Sequence, residues 1–174
     1  MIMKTAYFFF LLFISNFLIS CASNKSVDDD RNENLSLKKI INSYPGDLSK
    51  ANINISSFNG DLLITGQVPS QELVNLATDQ ANKLRNVREV FNYLQVMGET
   101  SFLSKASDLL ITNKVKSKLQ DLKFFQIDKV HIVTEDGMVY LMGTLNREEL
   151  KTIMGIIEGT KGVQKVISLA RLEN

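Results

Sequence analysis

The sequence holds one cysteine, Cys21, and one histidine, His131, so neither an internal disulfide nor a Cys/His zinc site can form. A histidine acting as general base needs an oriented partner, and no motif surrounds His131. It stands between inward Val130 and Ile132 and reads as a solvent-facing strand residue. Asp28-Asp29-Asp30 supplies carboxylates but lacks the spaced ligands and glycine of a calcium loop, so it reads as a solvated tract. Gly60, Gly66, Gly137 and Gly143 do not fall into a phosphate-cradling spacing, and read as turn and strand-end glycines. Catalysis, a metal, a cofactor and a small-molecule substrate are therefore not expected. The formal charge of +1, from 20 basic and 19 acidic side chains, gives no global reason to expect nucleic acid.

The placement of the thiol is informative. A short positive start containing Lys4 leads into an apolar run from Tyr7 to Ile19, broken only by Ser15 and Asn16. A membrane-spanning helix needs about 20 such residues, and this run ends earlier, among the small residues Ser20 and Ala22. Residues 1–20 read as an export signal. A buried cysteine of the mature fold would be a lone free thiol in an oxidising compartment. Leu18-Ile19-Ser20-Cys21 instead resembles a lipobox. That resemblance implies acylation of the Cys21 thiol, cleavage before it and acylation of the new amine. Ala22, where an aspartate is associated with inner-membrane retention, implies the outer membrane, on its periplasmic side. Residues 21–34 are then expected to be a lipidated, disordered tether, reaching about 40 Å at about 3.5 Å per residue.

Behind these residues the chain repeats itself. INISSFNGDLLITGQVPSQEL from Ile53 lies on VHIVTEDGMVYLMGTLNREEL from Val130 without a gap, at an offset of 77. Two copies make a duplicated small domain rather than a solenoid, and the 44% apolar composition suits globular bodies. Each copy alternates apolar and polar positions around Asn59-Gly60 or Asp136-Gly137, the strongest short hairpin signals. Pro69-Ser70-Gln71-Glu72 and Asn146-Arg147-Glu148-Glu149 carry N-cap candidates and first-turn acids. Leu73, Leu76, Ala77, Ala81 and Leu84 then follow at helical spacing, as do Leu150, Ile153, Met154 and Ile157. Strands return at Val87–Leu94 and Val163–Leu169, and opening helices are expected at 35–43 and 107–120. The expected fold is α+β: two tandem αββαβ domains, 35–98 and 99–174, each a three-stranded mixed sheet covered by two helices. The second copy, residues 101–174, should fold alone.

SSFNGDLLITGQVPSQEL, VREVFNYLQV, ITNKVKSKL and VTEDGMVYLMGTLNREEL resemble the BON domain, named for bacterial outer-membrane and nodulation proteins, over nearly all of residues 33–172. The resemblance implies binding to anionic phospholipid, support of outer-membrane integrity and no catalysis. The first copy departs from the pattern in a shorter opening helix, broken by Pro45-Gly46.

Local charge indicates where lipid would be met. Between Phe102 and Lys129 stand Lys105, Lys114, Lys116, Lys118, Lys123 and Lys129 against Asp108, Asp121 and Asp128, whereas residues 33–98 are balanced. With Ile111, Val115, Leu119 and Leu122 as the core stripe, Leu109 and Leu110 fall off it, and Leu110 lies about 40° from Lys114. An apolar tip beside cations suits an anionic bilayer. The expected phospholipid-binding residues are therefore Leu109, Leu110, Lys114, Lys116 and Lys118. Two alternatives stay open. Leu109 and Leu110 could pack on the other domain or the linker, and the protein could be a non-catalytic scaffold whose partners are outer-membrane assembly proteins.

Overall fold

The computed structural model describes residues 25–97 and 102–173, so Cys21 and the expected export signal, residues 1–20, lie outside the described residues. In chain order the elements are α1 (Lys25–Ser43), β1 (Asn52–Phe58), β2 (Asp61–Val68), α2 (Gln71–Asn82), β3 (Glu89–Val96), α3 (Phe102–Gln120), a 3-10 turn (Ile127–Lys129), β4 (Val130–Glu135), β5 (Met138–Leu145), α4 (Arg147–Glu158), β6 (Lys165–Ser168) and β7 (Arg171–Leu172). The duplicated αββαβ order is present as expected. β1 and β2 pair antiparallel with Ile55 opposite Ile64, and β2 and β3 pair parallel with Leu63 opposite Phe91. β4, β5 and β6 repeat this, with Ile132 opposite Leu141 and Tyr140 opposite Ile167. β7 adds a short fourth strand beside β5.

The local causes are the ones the sequence carries. Ser70 caps α2 by accepting from the Leu73 amide. Asn146 and Glu149 cap α4 reciprocally. Asn59-Gly60 and Asp136-Gly137 all have positive φ, as the two-residue primed hairpin turns require.

Three expectations are corrected. The segment 25–34 is not tether: α1 begins at Lys25, ten residues before the expected start, and at 19 residues it equals α3 in length. The rest of the expected tether, residues 21–24, lies outside the described residues, and the first copy's opening helix is not the shorter one. Gly66 and Gly143 are also not strand-end residues; they sit inside β2 and β5 with φ of +116° and +149°.

Layering explains why every residue of β2 is buried. One face of that strand, Leu62, Ile64 and Val68, packs with Leu73, Ala77 and Ala81 of α2 and Ile40 of α1. The equivalent face of β5, Val139, Leu141 and Leu145, packs with Ile111, Val115 and Leu119 of α3 and Ile153 and Ile157 of α4. The opposite faces meet each other. Leu63, Tyr140, Met142 and Leu169 form a third buried cluster, flanked by Phe58, Phe91, Tyr93 and Ile167. The two sheets stand back to back, with helices on both outer sides.

Candidate functional site

α3 carries the expected lipid-facing residues, and its inward stripe is the expected one: Ile111, Val115 and Leu119 are 4%, 0% and 0% exposed. Leu109 and Leu110 are 62% and 59% exposed, so most of each side chain stays open to solvent. They do not share one ridge. At about 100° per residue, Leu110, Lys114 and Lys118 run along one side of the helix, and Leu109 and Lys116 along the other.

The lysines differ in what holds them. Lys114 is exposed and makes no ion pair among the described residues. Lys118 donates to the Gly159 carbonyl at 3.3 Å, capping the C-terminus of α4, where the helix dipole favours a cation. Lys116 is half-buried, and its charge reaches His131. Lys129 is spent on Glu149 at 3.2 Å and Glu173 at 3.7 Å, and Lys105 donates to Asn52. The cationic face is thinner than the six-lysine count suggested. An exposed apolar group that the sequence reading missed is Phe124, after the end of α3, which at 67% is the most exposed of the large apolar residues among the described residues. Its signal was the pair Phe124-Phe125, in which Phe125 enters the core at 7% exposure and turns its neighbour outward.

A carboxylate on each opening helix fixes that helix to the hairpin. Asp108 accepts from the Asp136 amide at 2.8 Å and the Gly137 amide at 2.9 Å. Asp29 does the same for Asn59 at 2.9 Å and Gly60 at 3.1 Å, and also accepts from the Ser57 hydroxyl at 2.7 Å. The acidic tract is thus not solvated throughout. Asp29, its central residue, is 8% exposed and is a structural cap.

His131 is corrected as well. It does not face solvent: its ring stacks on Phe58 across the inter-domain seam, with centroids 5.8 Å apart. The repeat predicts a mirrored contact, and one is present. Asn54, the equivalent of His131, donates to Glu135, the equivalent of Phe58, at 3.0 Å. Such reciprocal pairing is what a two-fold relation between the copies generates. Gln67 also donates to Glu135 at 3.0 Å and to Asp136 at 2.8 Å. At the other end of the seam Arg171 and Arg88 both grip Asp61, whose side chain is 4% exposed, and Arg171 adds Glu89 at 2.6 Å.

These seam groups set a pH dependence. Burial, and then the Lys116 cation, hold the His131 imidazole below its ordinary 6.5, against a smaller opposing pull from Asp29. Its stabilising contribution is therefore full above pH 6.5 and is lost as pH falls through the lowered value. Burial raises the Glu135 carboxyl above 4.5, outweighing its hydrogen bonds from Gln67 and Asn54, so its contribution has the opposite sign: present below 4.5 and lost as pH rises through the raised value. Burial alone would raise Asp61, but the two guanidiniums hold it below 3.8, and its contribution fails as pH falls through its lowered value. The melting temperature should begin to drop just below pH 6.5. His131→Asn, which installs the residue of the first copy, should remove that first drop and leave the acid-side one. An unchanged pH profile in that variant would contradict the assignment.

The repeated fold defines a double-domain protein, two copies of one α+β module joined back to back. Both copies match the BON domain profile, over residues 28–98 and 107–174, and the chain belongs to that family. It is 31% identical over 121 residues to the outer membrane lipoprotein DolP of Haemophilus influenzae, covering 70% of this chain and 63% of that one. The 21 kDa hemolysin of Actinobacillus pleuropneumoniae is similar at 31% identity, covering 69% and 62% of the two chains. An uncharacterized protein of Anaplasma centrale, from the gshII 5' region, is similar at 31% identity over 71% of this chain and 83% of its own. The matched region thus spans less than two thirds of the first two relatives. Among solved structures, CdsD of the type III secretion system of Chlamydia trachomatis is similar with 12% identity, 79% and 90% coverage and a TM-score of 0.35, too low to bear on function. Among the described residues no helix is long and apolar enough to cross a membrane.

Proposed function

We propose that the chain is an outer-membrane lipoprotein on the periplasmic side, anchored through acylated Cys21 after removal of residues 1–20. It binds anionic phospholipid through α3 of the second BON domain, supports outer-membrane integrity and catalyses nothing. The observation that carries the lipid reading is the exposure of Leu109 and Leu110 on a helix bearing Lys114, Lys116 and Lys118. Similarity to a protein named as an outer membrane lipoprotein supports the anchoring and the compartment.

The lipid test is sedimentation of the chain from Ala22, which retains every described element, with anionic and zwitterionic vesicles. Basic residues near an anionic surface contribute about 1 kcal/mol each, decaying within a Debye length. Changing Lys114, Lys116 and Lys118 to Gln should therefore cost up to about 3 kcal/mol, less at high salt. Leu110→Asp should weaken binding with little change in salt dependence, and the fold should survive, since the inward stripe is untouched. Equal binding to both vesicle types would overturn the lipid reading. The scaffold reading would then lead, with the groove of about 440 Å³ between edge strands β1 and β4, lined by Asn54, Leu109 and His131, as its surface.

The anchor has its own test. Cys21→Ser should abolish acylation and release the protein from membranes or leave it uncleaved. A mature N-terminus found by mass spectrometry at any residue other than Cys21 would refute the anchor.

A further inference from the structure

The first domain carries a concentration of charge that its balanced sequence total conceals. A cleft of about 690 Å³ opens between α1 and the chain leaving α2, lined by four cations, Arg31, Lys39, Lys83 and Arg85, and by no acidic side chain. None of the four is in an ion pair among the described residues, in contrast to Arg88 and Arg171 nearby in sequence and at the seam. Leu35, 36% exposed, and Leu84, 9% exposed, supply an apolar part of the wall. The cleft is built rather than incidental to mobile side chains: Asn32, itself 3% exposed, donates to the Asn86 carbonyl at 3.2 Å and ties α1 to the segment carrying Lys83 and Arg85.

We propose that this cleft is a second anionic-lipid site, in which the four cations take the phosphate of a phospholipid headgroup and Leu35 and Leu84 meet the start of its acyl chains. Unpaired cations converging on one concave site suit a phosphate oxygen cluster, and guanidinium groups recognise it with paired donors. The lipid source is favoured over a free anion by position. Only three residues separate Cys21 from Lys25, where α1 begins. Fully extended, that link covers at most about 14 Å, and Arg31 lies six residues further, about 9 Å along the helix. An acylated Cys21 therefore holds the Arg31 end of this cleft within about 23 Å of the bilayer. The inference rests on the lipoprotein reading for that proximity, but not on α3 as a lipid site.

The test uses the chain from Ala22, since every described element lies in 25–173. Binding to vesicles of phosphatidylglycerol in phosphatidylcholine is compared for wild type, a cleft variant (Arg31→Gln, Lys39→Gln, Lys83→Gln, Arg85→Gln) and an α3 variant (Lys114→Gln, Leu110→Asp). Among the described residues none of the four cleft side chains makes a hydrogen bond, so melting temperature should be unchanged. The cleft variant is expected to lose at least about five-fold in vesicle affinity. The same loss should appear when the cleft changes are made in the α3 variant. Backbone amides of Asn32 and Arg85 should shift in NMR spectra on addition of short-chain phosphatidylglycerol, and much less with inorganic phosphate at equal concentration. A cleft variant that binds vesicles as wild type does would overturn the proposal. So would equal shifts with inorganic phosphate, which would make the cleft a free-anion site. Failure of the α3 variant alone to lose affinity would refute the α3 reading and leave this one standing.

Discussion

Gly66→Ala should destabilise the protein by about 3 kcal/mol or more, a large share of the 5–15 kcal/mol typical of a domain. Two costs combine. The φ of +116° lies where a side chain is strained, and a Cβ there would run into the Asn52 carbonyl oxygen of the neighbouring strand. That oxygen belongs to backbone paired across β1 and β2, where Asn52 stands opposite Gln67, so it cannot retreat without breaking the ladder. Gly143→Ala should behave alike, because its Cβ would lie 2.5 Å from the Lys129 carbonyl oxygen. Gly155 is the control: it sits in α4 with nothing within 4 Å of an added Cβ. Gly155→Ala should stabilise by about 0.5–1 kcal/mol through helix propensity. Chemical denaturation of the three variants decides the matter. A Gly66→Ala protein within about 0.5 kcal/mol of wild type would show that β2 shifts freely at this point.

The second large effect concerns separation of the domains. The sequence invites the expectation that the second copy, residues 101–174, folds alone, and the back-to-back sheets argue against it. Tyr140, Met142 and Leu169 are 1%, 1% and 8% exposed in the whole chain, and part of that shielding comes from Leu63, Phe91 and Tyr93 of the first copy. Each large apolar side chain returned to water costs about 1.5–3 kcal/mol. A unit of about 70 residues has only about 3–5 kcal/mol to lose. Residues 99–174 alone should therefore unfold without a sharp transition, or pair with a second copy through the bared sheet. The whole chain should melt in one step. The Tyr140 hydroxyl, raised to about 12 by burial and the neighbouring Tyr93, is a reporter. Its ionisation should return toward 10 in the isolated unit. A monomeric, cooperatively melting second unit would instead make the copies independent domains.

Much of this protein was written locally. The two hairpins, the caps at Ser70 and Asn146, the helical spacing of α2 and α4 and the duplication were all readable, because each depends on residues near one another in sequence. The inward stripe of α3 was readable for the same reason: Ile111, Val115 and Leu119 repeat at helical spacing. The first half of α1 was not. Its equivalents on that stripe are Asn32, Ser36 and Ile40, two of them polar, so an apolar period does not mark the helix. Asn32 is justified by the Asn86 carbonyl and Asp29 by the Asn59-Gly60 turn, both distant in sequence. The requirement for glycine at 66 and 143 and the stacking of His131 on Phe58 likewise depend on a second segment of chain. Of the residues expected to face lipid, sequence could place Leu109, Leu110 and Lys114 outside the core stripe. Only the tertiary structure decided that the two leucines stay open, that Lys118 caps α4, that Lys129 is paired and that Arg31, Lys39, Lys83 and Arg85 converge. The reason is physical: periodicity reports which side of an element faces a core, while exposure and charge pairing depend on what else arrives at that side.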